Sequence, residues 1–387
     1  MIKQTIIRLI PFRLRTPLRA LYHSLKYRIR VLVGGRDSLI PPDSLHSVGS
    51  GHDVEVGFAE LMGIATGYQP SRALSVATEL GIADLLRGGP RPVGDLALAT
   101  GTHEPTLYRL LRALASIGVF HEDNERCFSL TPMGQLLRSD APTSVGAVAR
   151  FVGREYHWTA WGHLLHSVRT GENASGAALG TDVWTYRERH PEENEIFNAA
   201  MAALSRAGAG PELVAYDFGR HRIIADIAGG TGVLLSAILR KHPESRGILF
   251  DRPHVVAAAR TILEREGVAD RVRIESGSFF ERVPSGADAY VIRRTLHNWL
   301  DTEAVAILRC CRAAMRPDAR LLLIESVVGP PNADPQSKFR DLAMLVSPGG
   351  RERTELEWSA LLAEGGFKLH QVHPAGLTAA VIEAWPA

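Results

Sequence analysis

The sequence predicts an α/β protein in which a doubly wound sheet fills about residues 219–387 and a mainly α-helical, winged-helix-like region over 53–150 precedes it. Two observations carry that reading. Past residue 220, six short apolar runs alternate with amphipathic helical stretches, whereas from 56 to 138 apolar residues recur at helical spacing and close in a short hairpin pattern. The 387 residues, 45% hydrophobic and 22% charged, hold more than one core and exclude a disordered, collagen-like or coiled-coil chain.

The chain begins with an arm, residues 1–52. Nine basic residues precede the first acid, Asp37, and the rest carries 35 basic against 42 acidic residues, a balance that disfavours general nucleic-acid binding. Within 1–32 the basic residues are interleaved with Ile, Leu, Phe and Tyr and no apolar run reaches membrane-spanning length. The arm therefore reads as helical, packed on the body or on a second subunit; peripheral contact with a membrane surface is the alternative. Gly- and Pro-rich residues 34–53 read as a linker.

In 53–150, Val93–Leu98, a Thr-Gly-Thr turn at 100–102 and Leu107–Val119 have helix-turn-helix spacing, and Phe120–Leu130 reads as the wing. The second helix offers Arg109 and Arg112, but Leu107, Tyr108, Leu110, Leu111, Leu114 and Ile117 cover most of its surface, which fits packing better than base readout. Residues 151–218 read as a helical linker with a turn near Gly171–Gly180. Strands are then expected at Arg222–Ile227, Gly247–Phe250, Val272–Glu275, Ala287–Ile292, Arg320–Ser326 and Leu369–His373, and helices at Val233–Lys241, His254–Glu266, Thr302–Met315 and Glu355–Gly365. Cys127, Cys310 and Cys311 are too few for a disulfide framework and lack metal-ligand spacing, so a reducing, cytoplasmic setting is expected and no metal.

The run DIAGGTG, Asp226–Gly232, stands where the first strand turns into its helix. Small residues at Ala228, Gly230 and Gly232 let the backbone approach a ligand, and a helix N-terminus supplies N–H donors. Asp251, at the end of the next strand, is placed to accept both hydroxyls of a ribose. An acid heading the loop would repel a pyrophosphate and suits a cationic amino-acid end, which favours S-adenosylmethionine over a dinucleotide.

On these residues the chain from about Phe58 onward resembles the class I S-adenosylmethionine-dependent O-methyltransferases of plant caffeate and flavonoid metabolism and of bacterial natural-product tailoring. The matching pieces are the winged-helix start, FNAAM at Phe197–Met201, DIAGGTG, FDRPHVV, GSFF at Gly277–Phe280, LHNWLD at Leu296–Asp301 and SPGGRERT at Ser347–Thr354. The resemblance implies a Rossmann-like catalytic domain behind a dimerisation domain, a homodimer, and S-adenosylmethionine giving S-adenosylhomocysteine. It adds Arg252, Ser278, Phe279 and Arg293 to the cofactor contacts. Ser278 stands where relatives commonly have Asp, and Ala228 where they have Gly.

Removing a proton from a hydroxyl acceptor needs a base within hydrogen-bond reach. The resemblance assigns that role to His297, with Glu325 and Glu352 fixing its ring. It places Tyr156, His157, Trp158, Trp161, Phe197, Met201, Asn298, Phe339 and Met344 around the acceptor. The function expected is methyl transfer to a hydroxyl, phenolic by preference, of a small secondary metabolite. The rival readings are a relative with hydroxylation, decarboxylation or pericyclic chemistry, and a winged-helix ligand sensor that binds DNA.

Overall fold

The computed structural model describes residues 51–376 and 379–387; the basic arm and the linker up to residue 50 lie outside the described residues. The chain divides into two compact units, Met1–Met62 and Gly63–Ala387. Of the first, residues 51–62 are described, and they are helical within Gly51–Ala65, so the helix starts earlier than the expected linker end at 53.

In the second unit, helices Tyr68–Glu79, Val93–Thr100 and Glu104–Ser116 lead into the strands β2 (Phe120–Glu122) and β3 (Cys127–Leu130). A short β1, Arg91–Pro92, pairs with β3, so the hairpin forms a three-stranded antiparallel sheet. Leu107, Leu111 and Leu114 bury one face of the Glu104–Ser116 helix, a spacing of four and three that marks an amphipathic stripe. Arg109 and Arg112 stand exposed on its other side.

The large sheet holds β4 (Ile223–Ile227), β5 (Arg246–Asp251), β6 (Val272–Ser276), β7 (Ala289–Arg293), β8 (Arg320–Glu325), β9 (Phe367–Ala375) and β10 (Ala379–Pro386), in the order β6-β5-β4-β7-β8-β10-β9. Side chains alternate across it. Ala225, Ile227, Tyr290, Ile292, Leu321 and Leu323 enter the core on one face, and Ile224, Ala289, Val291, Leu322 and Ile324 the core on the other. Both faces are covered, which is why these strands read as continuous apolar runs.

Three expectations need correction. Among the described residues the sheet has seven strands, because Ala379–Pro386 inserts antiparallel between β8 and β9, burying Ala380, Val381, Ile382 and Ala384. The helix expected over His254–Glu266 is two pieces, Pro253–Val256 and Ala259–Arg265. The turn near Gly171–Gly180 encloses a short helix, Ala174–Leu179. A further helix, Pro335–Val346, lies ahead of the Gly-Gly loop at 349–350.

From β4 the sheet grows through β5 and β6 on one side and through β7 and β8 on the other. Such a reversal opens a crevice at the carboxyl ends of the strands, where α/β proteins bind ligands. Asp226, Asp251, Arg293 and Glu325 all stand at those ends.

Candidate active site

The loop after β4 is built for close approach. Ala228, Gly230 and Gly232 have φ of +57°, +61° and +81°, and a Cβ on Gly229 would come within 2.6 Å of the Asp226 carboxyl carbon. Asp226 is 1% exposed and, among the described residues, neither of its carboxylate oxygens has a hydrogen-bond partner. Burial pushes its acid up to about 7. An orphaned acid under a bare backbone loop matches a ligand that brings a cation or donor.

Asp251 sits opposite, half-buried, accepting hydrogen bonds from the amides of Gly230 (2.8 Å) and Arg252 (2.7 Å). Burial lifts its acid as well, against those two amides. The Arg252 side chain is mostly exposed, 3.7 Å from Glu188. Ser278 turns its hydroxyl to the Phe280 amide at 3.3 Å, and Phe279 packs edge-on to Trp299.

Arg293 is differently engaged from the expected cofactor contact. Its guanidinium pairs with buried Glu212 at 2.8 Å and bonds Ser205, both on the Pro191–Ala215 helix. It faces Asp226 through its field, opposing the rise that burial causes there.

His297 lies in a 3₁₀ turn, Leu296–Asn298, just past β7, and is 8% exposed. Its Nδ1 is 3.2 Å from Glu325 and 3.2 Å from Glu352, both fully buried. These are ion-pair contacts; neither is aligned as a hydrogen bond. Burial works against a charged ring, but the two carboxylates outweigh it and hold the imidazole above its ordinary range. Burial raises Glu325 too.

The local chain explains this placement. Glu325 ends β8, and its other oxygen accepts the amides of Thr295 and Leu296 at 2.9 Å each, so one carboxylate both shapes the turn and faces the ring. Glu352 precedes a helix whose start is fixed by a capping box between Thr354 and Glu357. A Cβ on Gly350 would come within 2.0 Å of the His297 carbonyl, so the two loops touch backbone to backbone there. Glu352 does not pair with Arg351 or Arg353, which go to Glu357 and Asp301. Arg353, 1% exposed, also donates to the carbonyls of Leu296 and Trp299. Sequence reasoning missed this clamp.

His297, Glu325 and Glu352 could also offer a metal ion three ligand atoms within 4.8 Å of one another. Asn298 is half-buried, its amide 3.4 Å from the Arg294 carbonyl, and Arg294 holds φ +48°.

Of the expected acceptor residues, Tyr156, His157 and Phe197 come together around Phe151, with His157 and Phe197 rings at 4.8 and 5.6 Å from it. Burial brings His157 down to about 4, so its ring is neutral. Trp161 packs with Ala160, Ala174 and Val346, and Trp158 lies edge-on to Tyr68. Met201 and Met344 are half-buried. Phe339 is 63% exposed. On the Pro335–Val346 helix it lies two residues from buried Ser337, on the opposite side. Trp184, Tyr186 and Arg187 belong to the aromatic group and were not anticipated.

The sequence matches the O-methyltransferase domain over residues 161–368 and the O-methyltransferase dimerisation domain over 62–140. It is 43% identical to phenazine O-methyltransferase PhzM of Lysobacter antibioticus, covering 84% of this chain and 95% of that protein. It is 43% identical to the mitomycin biosynthesis 6-O-methyltransferase of Streptomyces lavendulae, covering 81% and 90%. The crystal structure of LaPhzM superposes with a TM-score of 0.82 at 42% identity, covering 85% of this chain and 99% of the other. No described helix is long and apolar enough to cross a membrane. The chain belongs to the S-adenosylmethionine-dependent O-methyltransferase family, with the family's dimerisation domain ahead of its catalytic domain.

Proposed function

We propose that the protein methylates a hydroxyl of a small aromatic acceptor, with His297 as the base. The observation that carries this is the His297 ring held at Nδ1 by two buried carboxylates. With the Nδ1 proton drawn toward Glu325 and Glu352, Nε2 is left as the proton acceptor, and the developing imidazolium is stabilised by negative charge already in place. Relatives named for phenazine and mitomycin methylation support a fused-ring acceptor.

The cradle fits S-adenosylmethionine: Asp226 for the amino-acid end, the Gly230 region for close approach and Asp251 for the ribose hydroxyls. When bound, that group supplies an electrophilic methyl on a sulfonium. The chain's own part is alignment and proton transfer. With that group bound, His297 would take the acceptor hydroxyl's proton at Nε2, and Arg353 keeps the loops that carry His297 and Glu352 at fixed spacing.

We read His297, Glu325 and Glu352 as a proton-handling set rather than a metal site. Both carboxylates converge on the same ring nitrogen, and Glu325 spends its second oxygen on two backbone amides. We also infer a homodimer, because Phe58, Leu61 and Ile64 are each more than 65% exposed on one helical segment, and apolar faces of this kind fit a subunit interface. The three free cysteines fit a reducing compartment.

Incubation with methyl-labelled S-adenosylmethionine and 2-naphthol tests the reading. It expects label in the extracted naphthyl ether and an equal amount of S-adenosylhomocysteine, unchanged by EDTA. Turnover abolished by EDTA and restored by a divalent metal would instead favour the metal set.

A further inference from the structure

Arg187 is 4% exposed, yet it forms no ion pair among the described residues. Its acidic neighbours in sequence are committed elsewhere: Glu188 faces Arg252 and Glu192 and Glu193 face Arg154. Instead its guanidinium lies 3.6 Å from the centroid of Phe197, with Trp184, Tyr156 and Phe151 at 5.3, 5.7 and 5.9 Å. Among the described residues it makes one hydrogen bond, from Nε to the Tyr156 hydroxyl at 3.2 Å. Aromatic faces offset part of the cost of burying this cation but supply no anion for the guanidinium fork.

The box is tied to the reaction centre by the Pro191–Ala215 helix. Phe197, Met201, Ser205, Gly208 and Glu212 recur at intervals of four and three, so they share one face. Ser205 and Glu212 hold Arg293, four residues before His297, and Phe197 stacks on Arg187. At 1.5 Å per residue, Phe197 lies about 12 Å along the helix from Ser205, with Met201 between them.

Resting on the reading of an aromatic hydroxyl acceptor, we propose that Arg187 is an anion-recognition subsite that receives a carboxylate of the acceptor and holds the opposite end of the ring system toward His297. The guanidinium matches a carboxylate with two parallel N–H bonds, and the surrounding rings exclude water that would weaken them. Neutral His157 beside the box adds no competing charge.

The test compares 6-hydroxy-2-naphthoate with 2-naphthol, by calorimetry in the presence of S-adenosylhomocysteine and by initial rates. The wild type is expected to bind the naphthoate about tenfold or more tightly than the naphthol. Arg187→Met, which fills the box with an apolar chain, is expected to bring that ratio near one while leaving S-adenosylhomocysteine binding unchanged; Arg187→Lys keeps part of it. Equal affinities in the wild type, or a preference that survives in Arg187→Met, would overturn the subsite while naphthol methylation keeps the acceptor reading standing. Failure of both compounds to bind or react would overturn both.

Discussion

Arg353 and Asp301 meet at 2.7 Å, and this pair joins the loop that carries Glu352 to the loop that carries His297. The arginine is buried, its partner is half in solvent, and the same guanidinium satisfies two backbone carbonyls. Arg353→Leu is therefore expected to cost about 2–4 kcal/mol in urea unfolding. Arg353→Lys, which keeps the charge but loses the fork, should recover part of the stability. It should still lower kcat more than it raises the acceptor KM, as expected of a positioning residue.

Asp226 gives a pH-dependent prediction. Burial raises it from 3.8 to about 7, so between those values the folded chain holds a proton that the unfolded chain has lost. Stability due to this group is present below about pH 4, falls as pH rises toward 7, and is flat above it. In ligand-free thermal melts Asp226→Asn should gain on the wild type at pH 8, by on the order of 3–4 kcal/mol, and match it near pH 4. The same variant should bind S-adenosylmethionine more weakly.

Ala228 holds φ +57°, where a Cβ is disfavoured. Ala228→Gly should stabilise the chain by about 0.5–1 kcal/mol, the relief of strain less the added freedom of the unfolded chain. Gly230→Ala should do the reverse. A Cβ there meets nothing within 4 Å, so its cost is purely conformational. Urea denaturation midpoints of the two variants moving in the same direction would contradict this.

Asp251→Ala removes the proposed ribose acceptor and frees the Gly230 amide it now holds. Binding of S-adenosylhomocysteine should weaken by about 2–4 kcal/mol. Undiminished binding by calorimetry would reject the cradle assignment.

What was legible in the sequence follows from locality. The strands β4 to β8 are short apolar runs between turns, and the acids at their ends stand out because the runs are otherwise apolar: Asp226 and Asp251 were picked out that way, and Glu325 was assigned through the resemblance. His297 and Glu352 stood out only through the resemblance, since neither spacing nor periodicity brings them together. Val381 and Ile382 were not read as a strand, although they pair with His373 and Val372 on β9 as well as with Ile324 and Leu323 on β8. Arg353 and Arg187 were passed over because a sequence does not distinguish a buried arginine from a surface one.

Substitution of His297 tests the central claim most directly. Turnover of a weakly acidic phenol by His297→Ala should fall about 10²–10⁴-fold with S-adenosylhomocysteine affinity unchanged, and the loss should shrink for a more acidic phenol that is already ionised. A variant that methylates the weakly acidic phenol at the wild-type rate would contradict the assignment of His297 as the base.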